Sequence, residues 1–566
     1  MTNDLRKSLN PREWGVLMIV LLVALLPGFF NIPVMDRDEA RYSQASSQMM
    51  ETGDYVDIRF QEDPRWVKPA GIYWMQVAAS APFGGPDAPI WAFRLPSLIG
   101  ILIGAAVTAW LGARIVGAQG GIIAGALLGF TLMAAVEART AKTDAMLLAS
   151  GVFAQAALYF LLVRAKQDEV EKPKFIGAPL IFWAATGAAL MIKGPIVTLV
   201  SATTIIAYGL WTRDWGVVKR LRVLPGLLVA AAIALPWLLA INLQTDWGFL
   251  EKSVGHALLG KVAESDDSHG GPIGYHTLLL PITFWPGTIL IGLAGALAWI
   301  RRNDPAIKYL ICWLLPTWII FEFVQTKLPH YIFPALPALA ILAAWGVKDA
   351  GELLSNKWPR RTHLIVMILF VLATAILAAV PMVGASYLGG EVITLPSILA
   401  IGFGIAAVAA GIMVWRQPAS MTRLAGLMVA AIGTYWATFQ GAIPDLKQLW
   451  PSHYIAQEVR QLEGCETVLA TTAGYREPSN VRYLGTQTLL ANTGAQSADF
   501  LIANRDCGVA IVDQAERSSF DARIASTGVP VEAVARVTGH KYVKGDDLIL
   551  DVIIRTDGRL TPALSE

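Results

Sequence analysis

Long apolar runs separated by short polar segments dominate the first 446 residues of the chain. A helix that crosses a bilayer needs about 20 mostly apolar residues, and thirteen runs approach that length. The first run is Trp14–Phe30, and the others are centred near residues 103, 127, 153, 185, 203, 232, 289, 316, 339, 374, 405 and 433. The pattern predicts a polytopic α-helical membrane protein with about thirteen transmembrane helices.

Three longer segments are too polar for the bilayer interior. Residues 31–90 and 242–278 are predicted to form two outer loops, and residues 447–566 resemble a separate soluble domain. In that last segment, turns rich in Gly, Asn and Asp separate strand-like runs, which are Thr467–Thr471, Phe500–Ala503, Val509–Val512, Val531–Val537 and Asp547–Ile554. We therefore expect a transmembrane domain over residues 1–446 and a small α/β domain over residues 447–566.

The basic residues of the short loops indicate how the chain is oriented. If the N-terminus is cytoplasmic, the loops rich in Lys and Arg all fall in the cytoplasm, as the positive-inside rule requires. The short outer loops then hold only Arg139, Lys142, Lys193 and Lys327. An odd number of spans places the C-terminal domain outside. The predicted location is a cell membrane, with residues 447–566 on its non-cytoplasmic side.

Composition agrees with a membrane protein and excludes several functions. Of the 566 residues, 55% are hydrophobic and 16% are charged, whereas soluble domains carry roughly 25% charged residues. A net charge of +2 gives no basic field for nucleic acid. We find no P-loop and no glycine-rich dinucleotide motif, so an activated donor must supply the energy of any reaction. Cys465 and Cys507 could pair in an oxidising compartment.

The first outer loop opens on an acidic motif, Met35-Asp36-Arg37-Asp38-Glu39-Ala40-Arg41-Tyr42. It begins a predicted amphipathic helix whose apolar stripe includes Tyr42, Ala45, Met49 and Met50. Acidic residues favour helix N-termini, so Asp36 is expected to act as a cap. Asp38 is the candidate working carboxylate, either as a general base or as an anchor for a sugar hydroxyl.

Further ionisable residues collect on the same outer side of the membrane. Lys68 precedes Pro69 in an aromatic segment, and Asp144 opens an apolar run where it could be either a cap or a ligand. Short turns carry Lys193 and the segment from Lys327 to Tyr331, and the second loop carries His256 and His269. Several lysines with carboxylates suit a phosphorylated lipid head group.

The order and spacing of these motifs resemble the membrane glycosyltransferases of the aminoarabinose-transferase and protein-O-mannosyltransferase type, which share the GT-C fold. The motifs are Asp38-Glu39-Ala40-Arg41-Tyr42, Trp66-Val67-Lys68-Pro69 with Tyr73-Trp74, Thr143-Asp144, Lys193-Gly194-Pro195 and Lys327-Leu328-Pro329-His330-Tyr331. The resemblance implies that Asp38 is catalytic and that Lys68, Asp144, Arg139 and Lys193 bind the donor phosphate. It assigns substrate contacts to Glu39, Arg41, Tyr42, Lys327, His330, Tyr331 and His269.

The resemblance also implies a reaction and its partners. A sugar, aminoarabinose or a related one, would pass from a polyprenyl-phosphate lipid to lipid A or another envelope acceptor on the periplasmic face of a bacterial inner membrane. The resemblance fixes no cofactor. Relatives often carry Glu before the lysine, where it can share a metal with a loop histidine, but this chain has Val67. A divalent metal at His256 is therefore the weaker alternative.

Two other functions stay open at this point. The same fold serves protein and polysaccharide glycosyltransferases. An alternative from a different class is a lipid-linked sugar flippase or transporter. Such a protein is expected to carry charged residues across its spans, or to consist of two repeated halves. The sequence has no clear internal repeat, and its scarce outer charges cluster on one side.

Overall fold

The computed structural model describes residues 8–164, 177–253, 270–388, 390–541 and 545–563. His256 and His269 lie outside these ranges, so their predicted roles stay predictions.

Helices form most of the described residues up to residue 446. The longer ones are α1 (Pro11–Leu25), α2 (Asp38–Thr52), α3 (Gly71–Ser80), α4 (Ile90–Val116), α5 (Ala118–Phe130), α6 (Leu132–Ala138), α7 (Asp144–Tyr159), α8 (Gly177–Lys193), α9 (Ile196–Thr212), α10 (Val223–Gln244), α11 (Tyr275–Thr283), α12 (Ile291–Ile300), α13 (Pro305–Phe323), α14 (Leu336–Lys348), α15 (Lys357–Tyr387), α16 (Leu395–Arg416) and α17 (Met421–Tyr435). Shorter helical turns connect them, at Ala81–Phe83, Gly85–Asp87, Phe160–Arg164, Val217–Arg220, Gly248–Leu250, Gly287–Leu290, Pro329–Ala335, Ala350–Leu353, Trp436–Ala442, Ile443–Asp445 and Lys447–Leu449. Each of the thirteen predicted apolar centres coincides with a helical segment.

Within the described residues, seven helices are long and apolar enough to cross a membrane. Two bent pairs raise the number to nine if each is one span, namely α5 with α6, bent by 60°, and α11 with the segment Gly287–Ile300, bent by 111°. Helices α8 and α9 are apolar but shorter. The multi-pass helical architecture is therefore confirmed, whereas the number thirteen stays a prediction.

Small residues allow the helices near the outer surface to approach closely. A Cβ atom on Gly100 of α4 would lie 2.6 Å from the carbonyl carbon of Ala145, the second residue of α7. A Cβ on Gly71 of α3 would lie 2.5 Å from the carbonyl oxygen of Met191, near the end of α8. Neither position can hold a larger residue without displacing backbone. The first contact joins α4 to the start of α7, and the second joins the start of α3 to the end of α8.

The first outer loop contains the predicted amphipathic helix, which the structure confirms as α2. Its stripe of Tyr42, Ala45 and Met49 packs with Tyr73 of α3 and Trp237 of α10 in one buried cluster. A two-stranded hairpin, β1 (Arg59–Phe60) and β2 (Asp63–Pro64), lies between α2 and α3. Burial of this stripe holds the loop against the membrane helices.

The C-terminal segment contains a five-stranded mixed sheet with strand order β5-β4-β6-β8-β7. Its strands are β4 (Leu469–Ala473), β5 (Leu489–Ala491), β6 (Gly508–Asp513), β7 (Val531–Lys541) and β8 (Asp546–Arg555), and a separate pair is formed by β3 (Leu462–Glu463) and β9 (Thr561–Pro562). Strand β4 is parallel to β5 and β6, whereas β8 is antiparallel to β6 and β7. The helices are α18 (Pro451–Arg460), α19 (Pro478–Leu484), α20 (Gly494–Ala503) and α21 (Gln514–Thr527).

One strand prediction in this segment is wrong. Phe500–Ala503 ends helix α20, which Thr493 caps by accepting a hydrogen bond from the amide of Gln496. Ala498 and Leu501 are three residues apart and are both buried against the sheet, so the apolar spacing is helical. Cys465 and Cys507, whose pairing the sequence left open, form a disulfide bond.

Helix α19 and the turn after it join the C-terminal segment to the first outer loop. The backbone amide of Val34 donates to the hydroxyl of Tyr483 at 2.9 Å, and Arg482 donates to the carbonyl of Ala88 at 2.7 Å. Gln44 of α2 donates to Thr486 at 2.6 Å. The loop that carries the acidic motif is thus held between the membrane helices and the sheet.

Candidate active site

Asp38 is the first residue of α2 and its side chain is exposed. The residue before it, Arg37, has φ 65° and ψ −101°, a conformation that non-glycine residues rarely adopt. Asp38 lies within electrostatic range of Lys142 and of Tyr331, two residues from other outer segments. An accessible carboxylate beside a cation is suited to remove a proton from a bound acceptor.

The neighbouring Glu39 forms a buried ion pair with Arg94 of α4. Both side chains are fully buried, and Arg94 donates to the two carboxylate oxygens at 2.8 Å each. Arg94 also donates to the carbonyls of Phe29, Ile32 and Pro33. The resemblance assigned Glu39 to substrate, but its oxygens are occupied, because they accept hydrogen bonds from Arg94 and from backbone amides. The geometry supports a role in holding α2.

Two tyrosines and two arginines surround the start of α2. Tyr42 and Tyr73 are buried with ring centroids 5.3 Å apart, and the guanidinium of Arg65 lies 4.9 Å from the centre of the Tyr42 ring. Arg41 is half-buried, and burial together with the charge of Arg65 lowers its pKa. Tyr42, which the sequence predicts to contact substrate, is thus buried beneath the start of α2. Arg41, predicted to do the same, is partly accessible to solvent.

A chain of buried charges lies beside Asp38. Lys193 donates to Asp144 at 2.6 Å, and Nε2 of His330 lies 3.7 Å from the same carboxylate oxygen. Nδ1 of His330 lies 3.5 Å from the amine of Lys142, which pairs with Glu137 at 2.8 Å. Three outer turns therefore meet at one place, as the sequence predicted for Asp144, Lys193 and His330. Asp144 opens α7 and forms an ion pair, so its role is not limited to capping.

Two members of this chain, Glu137 and Lys142, were not among the predicted site residues. Burial alone would lower the pKa of Lys142, but the carboxylates of Glu137 and Asp144 hold it above its ordinary value. The raised pKa favours the cationic form of Lys142, which lies within electrostatic range of Asp38. The sequence did contain a signal, because an external turn with two acids and two bases is unusual between apolar runs.

A cavity of about 490 Å³ opens beside these charges. Lys68, Asp144, Lys193, His330 and Tyr331 line its polar end. The rest of its wall is mostly apolar and comes from α7, α9, the end of α13 with the residue after it, and the turn at Pro329–Ala335. These side chains are Leu147, Ile196, Leu199, Ala202, Ile320, Phe321, Val324 and Pro334. The Gly71–Met191 contact places Lys68, just before α3, near Lys193 at the end of α8. The cavity suits an anionic group attached to an apolar chain.

Two predicted cations do not belong to this cluster. Arg139 is buried, donates to the carbonyls of Ala24, Pro27 and Ala135, and lies over the ring of Phe439. Lys327 is also buried, and its amine donates to the carbonyls of Phe321, Glu322 and Val324. Helix ends leave carbonyls without partners, and these two side chains satisfy them. The geometry therefore gives both residues a structural role.

Asp36 does not cap α2, contrary to the expectation from its sequence position. Residue Arg37 precedes the helix and makes no side-chain capping bond. The carboxylate of Asp36 instead accepts hydrogen bonds from Tyr475 and Ser479 of the C-terminal segment. In the part of the chain that the structure describes, no group of three or more His, Cys, Asp or Glu side chains could hold a metal ion.

Comparisons with known proteins agree with the fold and the motifs. The family model described as dolichyl-phosphate-mannose-protein mannosyltransferase matches residues 67–239. An undecaprenyl phosphate-alpha-4-amino-4-deoxy-L-arabinose arabinosyl transferase of Pseudomonas paraeruginosa is 26% identical over 82% of this chain and 83% of its own length. A Pseudomonas fluorescens protein of that name, numbered 2, is 24% identical over 95% of this chain and 93% of its own length.

Two solved structures share the architecture. The crystal structure of ArnT from Cupriavidus metallidurans bound to undecaprenyl phosphate has a TM-score of 0.72 at 20% identity, and covers 96% of this chain and 98% of that one. The oligosaccharyltransferase of Archaeoglobus fulgidus has a TM-score of 0.51 at 11% identity, and covers 92% of this chain and 69% of that one. The resemblance predicted from the sequence motifs is thereby confirmed, together with a membrane-embedded, multi-pass fold.

Proposed function

Since the chain is a membrane glycosyltransferase with the GT-C fold, similar to the aminoarabinose transferases, we propose that it transfers a sugar from a polyprenyl-phosphate donor to lipid A or another envelope acceptor. The observation that carries the proposal is the cavity whose lining combines the cations Lys68 and Lys193 with a largely apolar wall. The sugar is aminoarabinose or a related one.

The two ends of the cavity match the two parts of the donor. Lys68 and Lys193 would bind the phosphate as point charges, and Tyr331 would flank it. Lys142, behind His330, adds a further positive charge to the same end. The apolar wall from α9 and α13 would take the first isoprene units, which pass from the lipid bilayer to a protein surface of like polarity. Asp144 keeps Lys193 pointed at the phosphate through its 2.6 Å bond.

The proposed reaction exchanges one bond at the anomeric carbon for another. The bond from this carbon to the phosphate oxygen breaks, and the polyprenyl phosphate leaves with the electron pair. Lys68, Lys193 and Lys142 stabilise the charge that develops on the leaving phosphate. A bond to the acceptor oxygen forms, and Asp38 takes the proton if that oxygen belongs to a hydroxyl. An acceptor phosphate is already ionised near neutral pH and needs no base.

We also propose a topology for the chain. It has thirteen transmembrane helices within residues 1–446, a cytoplasmic N-terminus and periplasmic loops at 31–90 and 242–278. Residues 447–566 form a periplasmic domain, and the five-stranded sheet supports this division. The alternation of basic and nearly neutral loops supports the orientation. Asp38 and the cavity then face the periplasmic leaflet, where a lipid-linked donor and acceptor can both approach.

Transfer by the purified protein in detergent is the direct test. Wild-type protein supplied with a polyprenyl-phosphate sugar and lipid A is expected to release polyprenyl phosphate and form glycosylated acceptor. A flippase needs two compartments, so turnover without a sealed membrane separates the enzyme from a transporter. Absence of any glycosyl transfer with all donor sugars of this class, by protein with a wild-type melting profile, would refute the proposal.

Removal of a phosphate-binding lysine is expected to weaken the use of donor. Lys68→Ala should lower kcat/KM for the donor by about 10-fold to 100-fold, because a hydrogen bond to a charged group contributes about 1.5–3 kcal/mol. Steady-state kinetics with varied donor measures the effect. Lys252→Ala is the matched control, since Lys252 is a lysine of the outer surface that lies near the Trp66 ring and does not line the cavity. Equal losses in both variants would contradict the assignment of Lys68.

Narrowing the apolar wall is expected to affect long-chain donors selectively. Leu199→Trp on α9 places a large side chain in the cavity and should raise KM for an undecaprenyl donor several-fold. A donor with one or two isoprene units should be affected less. Leu210→Trp on the same helix is the control, because Leu210 is 67% exposed and lies outside the cavity. Equal KM changes for short and long donors would show that the chain binds elsewhere.

A further inference from the structure

A hydrogen-bonded cluster ties the start of the acidic motif to the C-terminal segment. Tyr475 donates to Oδ2 of Asp36 at 2.9 Å, and Ser479 donates to the other carboxylate oxygen. Ser452 of α18 bonds to the hydroxyl of Ser479 at 2.6 Å and to that of Tyr475 at 3.3 Å. All three hydroxyl groups come from the C-terminal segment, so Asp36 is the member that belongs to the outer loop.

Asp36 lies two residues before Asp38, so the hydrogen bonds of this cluster restrict the backbone that carries Asp38. Only Arg37 separates the two aspartates, and it has the strained φ of 65°. Such a conformation costs about 1–3 kcal/mol and persists only where the surroundings fix the backbone on both sides. On the far side, Glu39 is fixed by Arg94 and by the amide of Ala141. Asp38 is therefore held between two anchored neighbours.

We propose that Asp36 is a positioning residue whose hydrogen bonds to Tyr475 and Ser479 fix the backbone that carries Asp38. The C-terminal segment then determines the orientation of the Asp38 carboxylate. This inference rests on the proposed transferase function. It assigns the sheet-bearing segment a part in the reaction step, because β4 leads directly into Tyr475 and the start of α19.

The electrostatics of Asp36 argue against a purely stabilising role. Burial raises its pKa to about 6, and Glu477 acts in the same direction, while Ser479, Tyr475 and Arg37 lower it. The folded protein thus binds the proton of Asp36 more tightly than the unfolded chain does. Linkage then means that the contribution of Asp36 to folding stability is full below the unfolded pKa of 3.8 and is lost as the pH rises through the folded pKa of about 6. A neutral amide at this position would avoid that loss.

Asp36→Asn is therefore expected to separate activity from stability. The melting temperature at pH 7.5 should equal or exceed that of the wild type, whereas kcat should fall about 10-fold to 100-fold, as misplaced catalytic groups do. KM for the donor should not change, because Asp36 does not line the donor cavity. The wild-type kcat should fall as the pH decreases through about 6, and this component should be missing in Asp36→Asn. Tyr475→Phe should reproduce a smaller part of the loss in kcat.

Thr486→Val is the matched control at the same interface. It removes the hydrogen bonds of Thr486 to Gln44 and Glu51, which join α2 to the turn after α19 without involving Asp36. If general loosening of the interface lowered activity, Thr486→Val would lose as much kcat as Asp36→Asn. The proposal expects wild-type kcat and an unchanged pH profile for Thr486→Val.

A measurement that does not depend on turnover completes the test. Hydrogen–deuterium exchange of the amides of residues 37–41 should become faster in Asp36→Asn and stay unchanged in Thr486→Val. If exchange and kcat are both unchanged in Asp36→Asn, the positioning role is overturned. If wild-type protein transfers no sugar, the proposed function fails, while the exchange result still decides whether Asp36 fixes the start of α2.

Discussion

Replacing Asp38 with asparagine is expected to lower kcat for transfer to a hydroxyl acceptor by about 10²–10⁴-fold, the usual contribution of a general base. The side chain is exposed, so the fold should not suffer, and asparagine keeps its size and polarity. Donor binding should persist, because the lysines that line the cavity are untouched. Steady-state kinetics together with binding of a radiolabelled donor measures both quantities.

The same variant distinguishes between the two kinds of acceptor. If the acceptor oxygen belongs to a phosphate, no proton has to be removed and the loss of kcat should be much smaller. Asp63→Asn is the matched control, since Asp63 is an exposed aspartate in strand β2 of the same outer loop. Wild-type activity of Asp38→Asn with every acceptor that the enzyme uses would remove Asp38 from the mechanism.

Breaking the buried Arg94–Glu39 pair is expected to cause a large loss of stability. Arg94→Met leaves a buried carboxylate and three carbonyls without their donor. Removing one partner of a buried ion pair typically costs about 3–5 kcal/mol. We expect a clearly lower melting temperature in detergent and, because Glu39 supports the start of α2, a loss of transfer activity as well.

A second variant and a surface control sharpen this test. In the double variant Glu39→Leu/Arg94→Met, both charges are removed, so part of the lost melting temperature should return. Arg523→Met breaks an ion pair with Asp499 in which both side chains are about half exposed, and exposed pairs contribute little. If Arg94→Met melts like Arg523→Met, the buried pair does not stabilise the loop as we propose.

The helical part of the fold could be predicted well because its signal is local. Each long apolar run must form a helix, since only hydrogen bonds within the segment satisfy its backbone in a bilayer. The stripe of Tyr42, Ala45 and Met49 predicted α2 for the same kind of reason, because its period is that of a helix. Short apolar runs carry less information, and the strand predicted over Phe500–Ala503 is therefore wrong.

The candidate site could be predicted in part. The sequence placed Lys68, Asp144, Lys193 and His330 on one side of the membrane, and in the structure they line one cavity. It could not show that Arg139 and Lys327 satisfy backbone carbonyls at helix ends. A basic residue in an outer turn has the same sequence signature in either role. The difference depends on which carbonyls lie within reach after the helices have packed.

The sequence by itself determined that the chain is a multi-pass membrane protein, and it predicts which face of the membrane carries the chemistry. Hydrophobicity and the distribution of Lys and Arg are properties of segments, and they do not depend on how the segments pack. The tertiary structure alone decided the partners of each charge, because these are set by distances of a few ångströms between residues far apart in the chain. Glu39 and Asp38 are adjacent in sequence, yet packing buries Glu39 against Arg94 and leaves Asp38 exposed. The tertiary structure also joins Asp36 to Tyr475, which lies more than 400 residues further along the chain, and no local sequence pattern predicts this contact.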